Sequence, residues 1–230
     1  MRVALLLIGL FIASYSISMG QDSRVYVGLG ASLGRSFSTI LGSQVDDALD
    51  PSKNPRAYVE DLNVTYFGFD VKIEWNNLLI KSGYQFTQRG GEVIGSRFIV
   101  DDKIHMRLNA VPLLLGVQPF ARGKMKLVNG NIFGGIVYQW DRGSTDLGLW
   151  NGGPRNFPVL SVAYGVAVEL KTSRSLVLNF QYQKIRDVTD YYTVDIRGHG
   201  KFEARTEGSM ITGGLLLTLN PGNKKQIDNL

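Results

Sequence analysis

The sequence predicts an all-β protein, an eight-stranded antiparallel up-and-down transmembrane β-barrel. Three observations favour this fold: apolar and polar residues alternate with a period of two in eight segments, long and short connections alternate between them, and an export signal precedes them. Period-two alternation separates two faces of a strand, whereas a helix would scatter both sets of residues around its surface.

The N-terminal segment predicts export. Arg2 precedes an apolar run over residues 3–13, and Ser18-Met19-Gly20 forms a small-residue cleavage site before Gln21. This is the pattern of a secretory signal peptide, and the run is too short to cross a bilayer as a helix. A buried N-terminal helix is the alternative. The predicted organisation is a signal peptide at 1–20, a barrel domain at 21–220 and a polar tail at 221–230.

The first four strands are predicted at about 24–34, 64–76, 79–89 and 103–117. The first places apolar residues on one face and glycines on the other, and the second alternates cleanly from Phe67 to Trp75. The third alternates around Ile80 and Phe86. The fourth changes its apolar phase near Pro112, which predicts a bulge because proline cannot donate a hydrogen bond to a neighbouring strand.

The last four strands are predicted at about 127–140, 158–171, 175–185 and 209–220. Each again carries alternating apolar residues, most clearly from Val162 to Leu170 in the sixth strand and from Leu176 to Tyr182 in the seventh. The eighth strand ends at Leu219. An even number of strands allows the sheet to close with antiparallel pairing throughout.

The connections carry further information about the class of barrel. Those after strands one, three, five and seven are long, and those after strands two, four and six are short. Outer-membrane barrels have this asymmetry, with short periplasmic turns and longer extracellular loops. The pattern therefore predicts that both termini lie in the periplasm.

The direction in which the apolar face points decides between two alternatives. In a membrane barrel this face meets lipid, whereas in a soluble exported β-barrel it would form the core; periodicity alone fits both. The opposite face combines charges of both signs with glycine and alanine, which favours a crowded interior. The predicted interior network comprises Asp70, Lys72, Glu74, Lys81, Arg107, Glu169 and Lys171. The predicted interfacial aromatic girdle comprises Trp75, Trp140, Tyr138 and Tyr182, together with Tyr66.

Composition excludes several chemistries. The 230 residues include no cysteine and only two histidines, so the sequence offers no thiolate zinc site, no cysteine nucleophile and no all-histidine metal site. His105 has no motif that nominates a serine and an orienting acid beside it. The net charge of +5 comes without a Lys/Arg run that would indicate nucleic-acid binding. We therefore predict no enzyme activity, no catalytic residue, no cofactor, no metal and no nucleic-acid partner.

Several strands resemble those of the PorT-like outer-membrane β-barrel family of gram-negative bacteria. The resemblance lies in LIKSGYQFTQRGG at 79–91, LNAVPLLL at 108–115, GVAVE at 165–169 and LNFQY at 178–182. It implies an OmpA/OmpX-like eight-stranded barrel in the outer membrane. One branch of the family is linked to type IX secretion and gliding, and the family supplies no catalytic residues. The polar tail after Leu219 departs from the aromatic terminal residue that is usual for such barrels.

The functional prediction is a non-enzymatic structural or interaction protein that presents extracellular loops, and the resemblance implies an association with a type IX secretion system. Side chains fill the interior of an eight-stranded barrel, so we predict no general-diffusion pore. The alternatives are a narrow transport or ligand-binding barrel and a soluble exported binding protein. The predicted partners are outer-membrane lipid and lipopolysaccharide, the barrel assembly machinery, and secretion-system or surface proteins.

Overall fold

Nine strands form within the described part of the chain, and eight of them are those that the sequence predicts. The computed structural model describes residues 25–41, 58–75, 77–94, 102–118, 127–142, 158–173, 175–188, 192–196 and 200–219. The predicted signal peptide, the polar tail and His199 lie outside these residues. The strands are β1 Val25–Leu41, β2 Tyr58–Trp75, β3 Leu78–Ile94, β4 Asp102–Val117, β5 Val128–Asp141, β6 Val159–Lys171, β7 Leu176–Asp187, β8 Tyr192–Ile196 and β9 Gly200–Leu219.

Antiparallel pairing closes the sheet into a barrel. Strands β1 to β7 pair with their neighbours in chain order, β7 pairs with β9, and β9 pairs back with β1 from Val27↔Leu219 to Leu41↔Arg205. The short strand β8 pairs only with the first residues of β9 and forms a hairpin beyond the barrel wall. The predicted eight-stranded antiparallel barrel is therefore confirmed.

The two ends of the barrel differ. At one end, which we call the short-turn end, β2 meets β3 and β6 meets β7 through connections of a few residues. Thr172 and Ser173 hold the second of these turns: the Thr172 hydroxyl donates to the Leu176 carbonyl at 3.0 Å, and the Leu176 amide donates to Ser173 Oγ at 3.1 Å. We call the opposite end the long-loop end.

The barrel wall is apolar outside and largely polar inside. Exposed apolar side chains occupy the outer face of every barrel strand, including Leu33, Phe69, Leu115, Ile136, Val166, Phe180 and Leu217. Side chains on the inner face are buried, and many of them are polar or charged. A closed barrel leaves no unpaired strand edge in hydrocarbon, and this apolar outer face is the one that suits lipid.

Strand β4 corrects one sequence prediction. Its pairing with β5 keeps one register from Leu108↔Asp141 to Val117↔Ile132, so β4 has no bulge at Pro112. Met106, Leu108, Pro112 and Leu114 all face the interior. Met106 and Leu108 therefore pack inside the barrel beside Arg89 and Thr87, their partners on β3. The apparent change of phase comes from apolar side chains on the inner face of β4 and not from a bulge.

Within the described residues, no helix is long and apolar enough to span a membrane.

Gly68 allows a large side chain to occupy the interior. Gly68 and Tyr66 are two residues apart on the inner face of β2, and a Cβ added at Gly68 would meet the Tyr66 hydroxyl and lie 2.9 Å from its Cζ. Tyr66 is only 2% exposed. It is an interior core residue, and its assignment to the interfacial girdle is wrong, because the alternation that turns Phe67 outward turns Tyr66 inward.

We expect Gly68→Ala to lower the free energy of unfolding by about 1–3 kcal/mol, because Tyr66 must shift within a packed layer. Gly130→Ala is the matched control, since a Cβ at Gly130 would meet nothing within 4 Å. Urea unfolding in detergent micelles, followed by tryptophan fluorescence, measures both. Equal losses in the two variants would contradict this account and indicate a general effect of replacing glycine in a strand.

Candidate functional site

The interior near the short-turn end contains a buried ionic cluster. Lys72 on β2 forms ion pairs with Glu74 on the same strand and with Glu169 on β6, across the barrel. All three side chains are almost completely buried. They share one face because Lys72 and Glu74 are two residues apart on β2. Glu169 faces them from its own strand end. A buried carboxylate without a cation would be costly, so the three charges depend on one another.

Amide side chains extend this cluster around the barrel. Gln118 donates to Glu74 Oε1 at 2.7 Å, and Asn129 donates to Gln118 Oε1 at 2.9 Å. Asn131 donates to Glu169 Oε1 at 3.1 Å. The contacts join residues from β2, β5, β6 and the segment after β4. They brace the barrel across its interior.

Lys81 on β3 joins the same region. Its ammonium group donates to Gln181 on β7 and lies 4.7 Å from the centre of the Phe133 ring. Gln181 in turn donates to Gln183 Oε1 at 2.7 Å. Asp70 also faces the interior from β2 and is half-buried. Lys72, Lys81, Glu74 and Glu169 together carry two positive and two negative charges.

Two residues of the predicted network lie elsewhere. Arg107 is exposed on the outer face of β4, because the strand keeps a single phase and residues 106 and 108 point inward. Lys171 is exposed at the last position of β6, where the strand ends at the short-turn end. Their assignment to the buried network is wrong in both cases. Alternation identified the correct face for Lys171 but not the point at which the interior ends.

An apolar layer crosses the middle of the barrel. Its buried members are Tyr66, Ala110, Leu114, Phe133, Val137, Ala163, Ala167, Ile185 and Met210. Each is at most 3% exposed. A water-filled passage would expose the side chains that line it, so this layer closes the interior between the two ends.

A second polar cluster lies nearer the long-loop end, and Asp187 is its centre. The Arg89 guanidinium pairs with Asp187 Oδ1 at 3.0 Å, with both side chains at most 2% exposed. The amide and hydroxyl groups of Thr206 donate to Asp187 Oδ2 at 2.9 and 2.6 Å. Ser161 and Gln139 also donate to Oδ1. The carboxylate therefore links β3, β5, β6, β7 and β9.

Sequence reasoning missed this cluster. Asp187 falls where the alternating pattern fades, and its position was predicted to be part of a loop. The signal that could have found it is its phase, since Asn179, Gln183 and Asp187 lie on one face of β7.

The predicted aromatic girdle residues all face outward. Trp75 is 47% exposed at the end of β2, beside the short turn. Tyr138 and Trp140 lie on the outer face of β5 toward the long-loop end. Tyr182 lies near the middle of β7, paired with Val166 and Ile211, so its predicted position near a strand end is wrong. The Trp140 ring lies 5.8 Å from the ring of Tyr84 on β3, so aromatic contacts continue along the outer wall.

An outer groove, which we call the arginine groove, lies at the long-loop edge of this aromatic surface. Thr65, Phe67, Phe86, Gln88, Arg107 and Arg142 line it, and its volume is about 350 Å³. It lies beside a shift in the pairing register of β2 and β3 between Asp61 and Phe67.

The two arginines of the groove are neighbours on adjacent chain segments. The Arg142 amide donates to the Arg107 carbonyl at 2.8 Å, and the Arg142 guanidinium lies 5.3 Å from the centre of the Phe86 ring. Neither guanidinium pairs with a carboxylate of the described residues. The groove therefore combines an aromatic floor with two positive charges.

The described residues contain no group of three or more His, Asp or Glu side chains that could hold a metal ion.

The architecture defines a class of protein. A closed barrel of eight long antiparallel strands, with an apolar outer face and a polar interior, is the fold of outer-membrane β-barrel proteins.

Solved structures of this class are similar to the chain. The outer membrane protein OprG from Pseudomonas aeruginosa matches with a TM-score of 0.52 and 12% identity, over 87% of this chain and 98% of that one. The outer membrane protein AlkL, solved in DMPC lipid bilayers, matches with a TM-score of 0.52 and 14% identity, over 91% of this chain and 96% of that one. Structural matches at such low sequence identity show a shared fold alone. No known protein-family model matches the sequence, and no curated protein is significantly similar to it.

Proposed function

We propose that this protein is a non-enzymatic barrel of the bacterial outer membrane that presents its long-loop end to partner molecules. The closed interior is the observation that supports this most directly. Two polar clusters and an apolar layer fill the barrel, and the described part of the interior offers no aqueous route for a solute. The outer surfaces are then the parts of the molecule that remain for function.

The length of the strands supports the proposal that the long-loop end is presented to partner molecules. On β1 the last fully exposed apolar side chain is Leu33, and the strand continues to Leu41 with Arg35 exposed and Phe37 and Leu41 half-buried on the same face. Eight further residues extend about 26 Å along the strand at roughly 3.3 Å per residue. On β2, the outward residues Asp61, Asn63 and Thr65 are polar and exposed. A strand needs only about 9–11 residues to cross the hydrocarbon, so this side of the barrel extends beyond the bilayer.

The same proposal includes a location and a partner class. We place the short-turn end in the periplasm and infer that export removes residues 1–20 before insertion. The resemblance to the PorT-like family favours a component of a type IX secretion system as the partner. The narrow transport alternative would require the apolar middle layer to open, and the soluble alternative would require the apolar outer face to be covered.

Planar-bilayer recording tests the closed barrel. We expect purified, reconstituted protein to give no stable channels, under conditions in which a reconstituted porin conducts. Long-lived channels of uniform conductance would contradict the proposal, because they would require a passage through the middle layer.

Site-specific photo-crosslinking in intact cells tests the partner. A photoreactive residue at Asn63 lies on the extended wall, whereas one at Leu115 faces the bilayer and is the matched control. We expect a defined protein adduct from position 63 that is absent from position 115, and the type IX assignment requires that the adduct contain a component of that system. The partner proposal fails if no position on the extended wall gives a protein adduct.

A further inference from the structure

We propose that the arginine groove binds the phosphate group of a phosphorylated lipid in the leaflet at the long-loop end, with Arg107 and Arg142 as the phosphate ligands. The placement of that end at the cell surface rests on the proposed function. The binding chemistry does not depend on any partner protein.

The groove lies at the height where hydrocarbon gives way to headgroups. Phe67 and Phe86 are paired outward residues of β2 and β3, and the next outward residues along those strands are Thr65 and Gln88. Gln88 pairs with Arg107 on β4. The apolar band therefore ends in aromatic rings, and the adjacent row of the wall is polar and basic. Interfacial aromatic residues occupy this height in membrane proteins.

The charge of the groove is not balanced within the described residues. At the same end of the barrel, Lys184 and Arg186 also face outward, but both pair with Glu207, at 2.6 and 3.6 Å. Arg107 and Arg142 have no such carboxylate among the side chains that the structure describes. Two guanidinium groups that line one groove repel each other, and a phosphate bound by both would relieve that repulsion. Guanidinium groups also match phosphate geometry through paired N–H donors.

The aromatic floor orients one of the two ligands. Arg142 lies over the Phe86 ring, and this contact limits the directions available to its guanidinium group. The Phe67 and Phe86 rings are stacked with their centres 5.9 Å apart, and Tyr84 contacts Phe86 at 4.9 Å. These rings form a continuous apolar surface that leads from the arginines toward the middle of the bilayer.

This combination favours a lipid over free phosphate. Inorganic phosphate would contact the arginines but gain nothing from the aromatic rings below them. A phosphorylated lipid would place its headgroup phosphate at Arg107 and Arg142, and its acyl chains along Phe67, Phe86 and Tyr84. The volume of about 350 Å³ has room for a phosphate group.

Native mass spectrometry of the protein in detergent micelles tests the site with two probes, diphosphoryl lipid A and the same lipid with both phosphates removed. We expect the wild-type protein to retain the phosphorylated probe at least about tenfold more strongly, since charge-assisted hydrogen bonds to phosphate are strong. The double variant R107Q/R142Q should lose this preference. The control K184Q/R186Q removes the same formal charge from the same end of the barrel and should keep it.

Each alternative result overturns the proposal. Equal retention of the two probes by the wild-type protein would show that the groove does not recognise phosphate. This comparison needs no variant. Equal loss in the two double variants would indicate general electrostatic attraction. Full displacement of lipid A by millimolar inorganic phosphate would assign the site to free phosphate. A heat-dependent gel shift confirms that each variant is folded. The groove can bind lipid in a protein that gives no crosslink at Asn63. The lipid test and the partner test can therefore fail independently.

Discussion

Replacing Asp187 with alanine is expected to lower the free energy of unfolding by about 3–5 kcal/mol, the cost of leaving a buried charge without its partner. The Arg89 guanidinium is 2% exposed and pairs with this carboxylate. Thr206 and Ser161 would also lose their acceptor. Urea unfolding in phospholipid–detergent micelles measures the loss.

The matched control is Glu207→Ala on β9. Glu207 also accepts ion pairs, from Lys184 and Arg186, but these side chains are partly exposed on the outer wall. We expect little change in stability, because solvent screens exposed pairs. Similar losses of stability in the two variants would show that the buried ion pairs of Asp187 stabilise the barrel no more than the exposed ion pairs of Glu207.

A second variant separates charge from packing at the same site. Asp187→Leu combined with Arg89→Met removes both buried charges and keeps apolar volume in the barrel. Because replacing a complete buried pair by apolar residues is far less harmful than breaking it, this double variant should recover a large part of the stability lost in Asp187→Ala. A double variant less stable than Asp187→Ala would contradict this explanation.

The second large effect is expected at Lys72. Lys72→Met removes the cation that Glu74 and Glu169 share, and should destabilise the barrel by about 3–5 kcal/mol. Urea unfolding in phospholipid–detergent micelles measures the loss.

Lys171→Met is the control for Lys72→Met. It removes the same side chain from the exposed end of β6, and its stability should stay within about 0.5 kcal/mol of the wild type. Protease accessibility of the long loops should be unchanged in both variants. A Lys72→Met protein with the wild-type unfolding midpoint would show that the ionic cluster does not stabilise the barrel.

The sequence predicts the short-turn ends of the strands well and the long-loop ends poorly. The prediction for the second and third strands is 64–76 and 79–89, and the structure has Tyr58–Trp75 and Leu78–Ile94. The last strand begins at Gly200 rather than near residue 209. Alternation is strong only where one face meets lipid. Toward the long-loop end the outer face becomes more polar and the buried face mixes polar residues with apolar ones such as Ile40 and Leu62, so the strands continue without the pattern that identifies them.

The interior clusters also differ in how well the sequence predicts them. Lys72, Glu74 and Glu169 lie within strongly alternating segments, so their common face follows from phase. Arg107 lies where the outer wall becomes polar and where its neighbours Met106 and Leu108 face the interior, so the same rule assigns it to the wrong face. The Arg89–Asp187 pair joins strands that are far apart in sequence, and only the closed register brings the two residues together.

The pairing of β1 with β9 has a consequence for the order of events during biogenesis. The first and last barrel strands form fifteen consecutive residue pairs, from Val27↔Leu219 to Leu41↔Arg205. Until β9 is available, β1 and β7 each have an edge of unpaired backbone N–H and C=O groups, which lipid cannot hydrogen-bond. The polypeptide must therefore be translocated almost to its end before the cylinder can seal, and translation that stops ahead of β9 would leave a fragment unable to integrate.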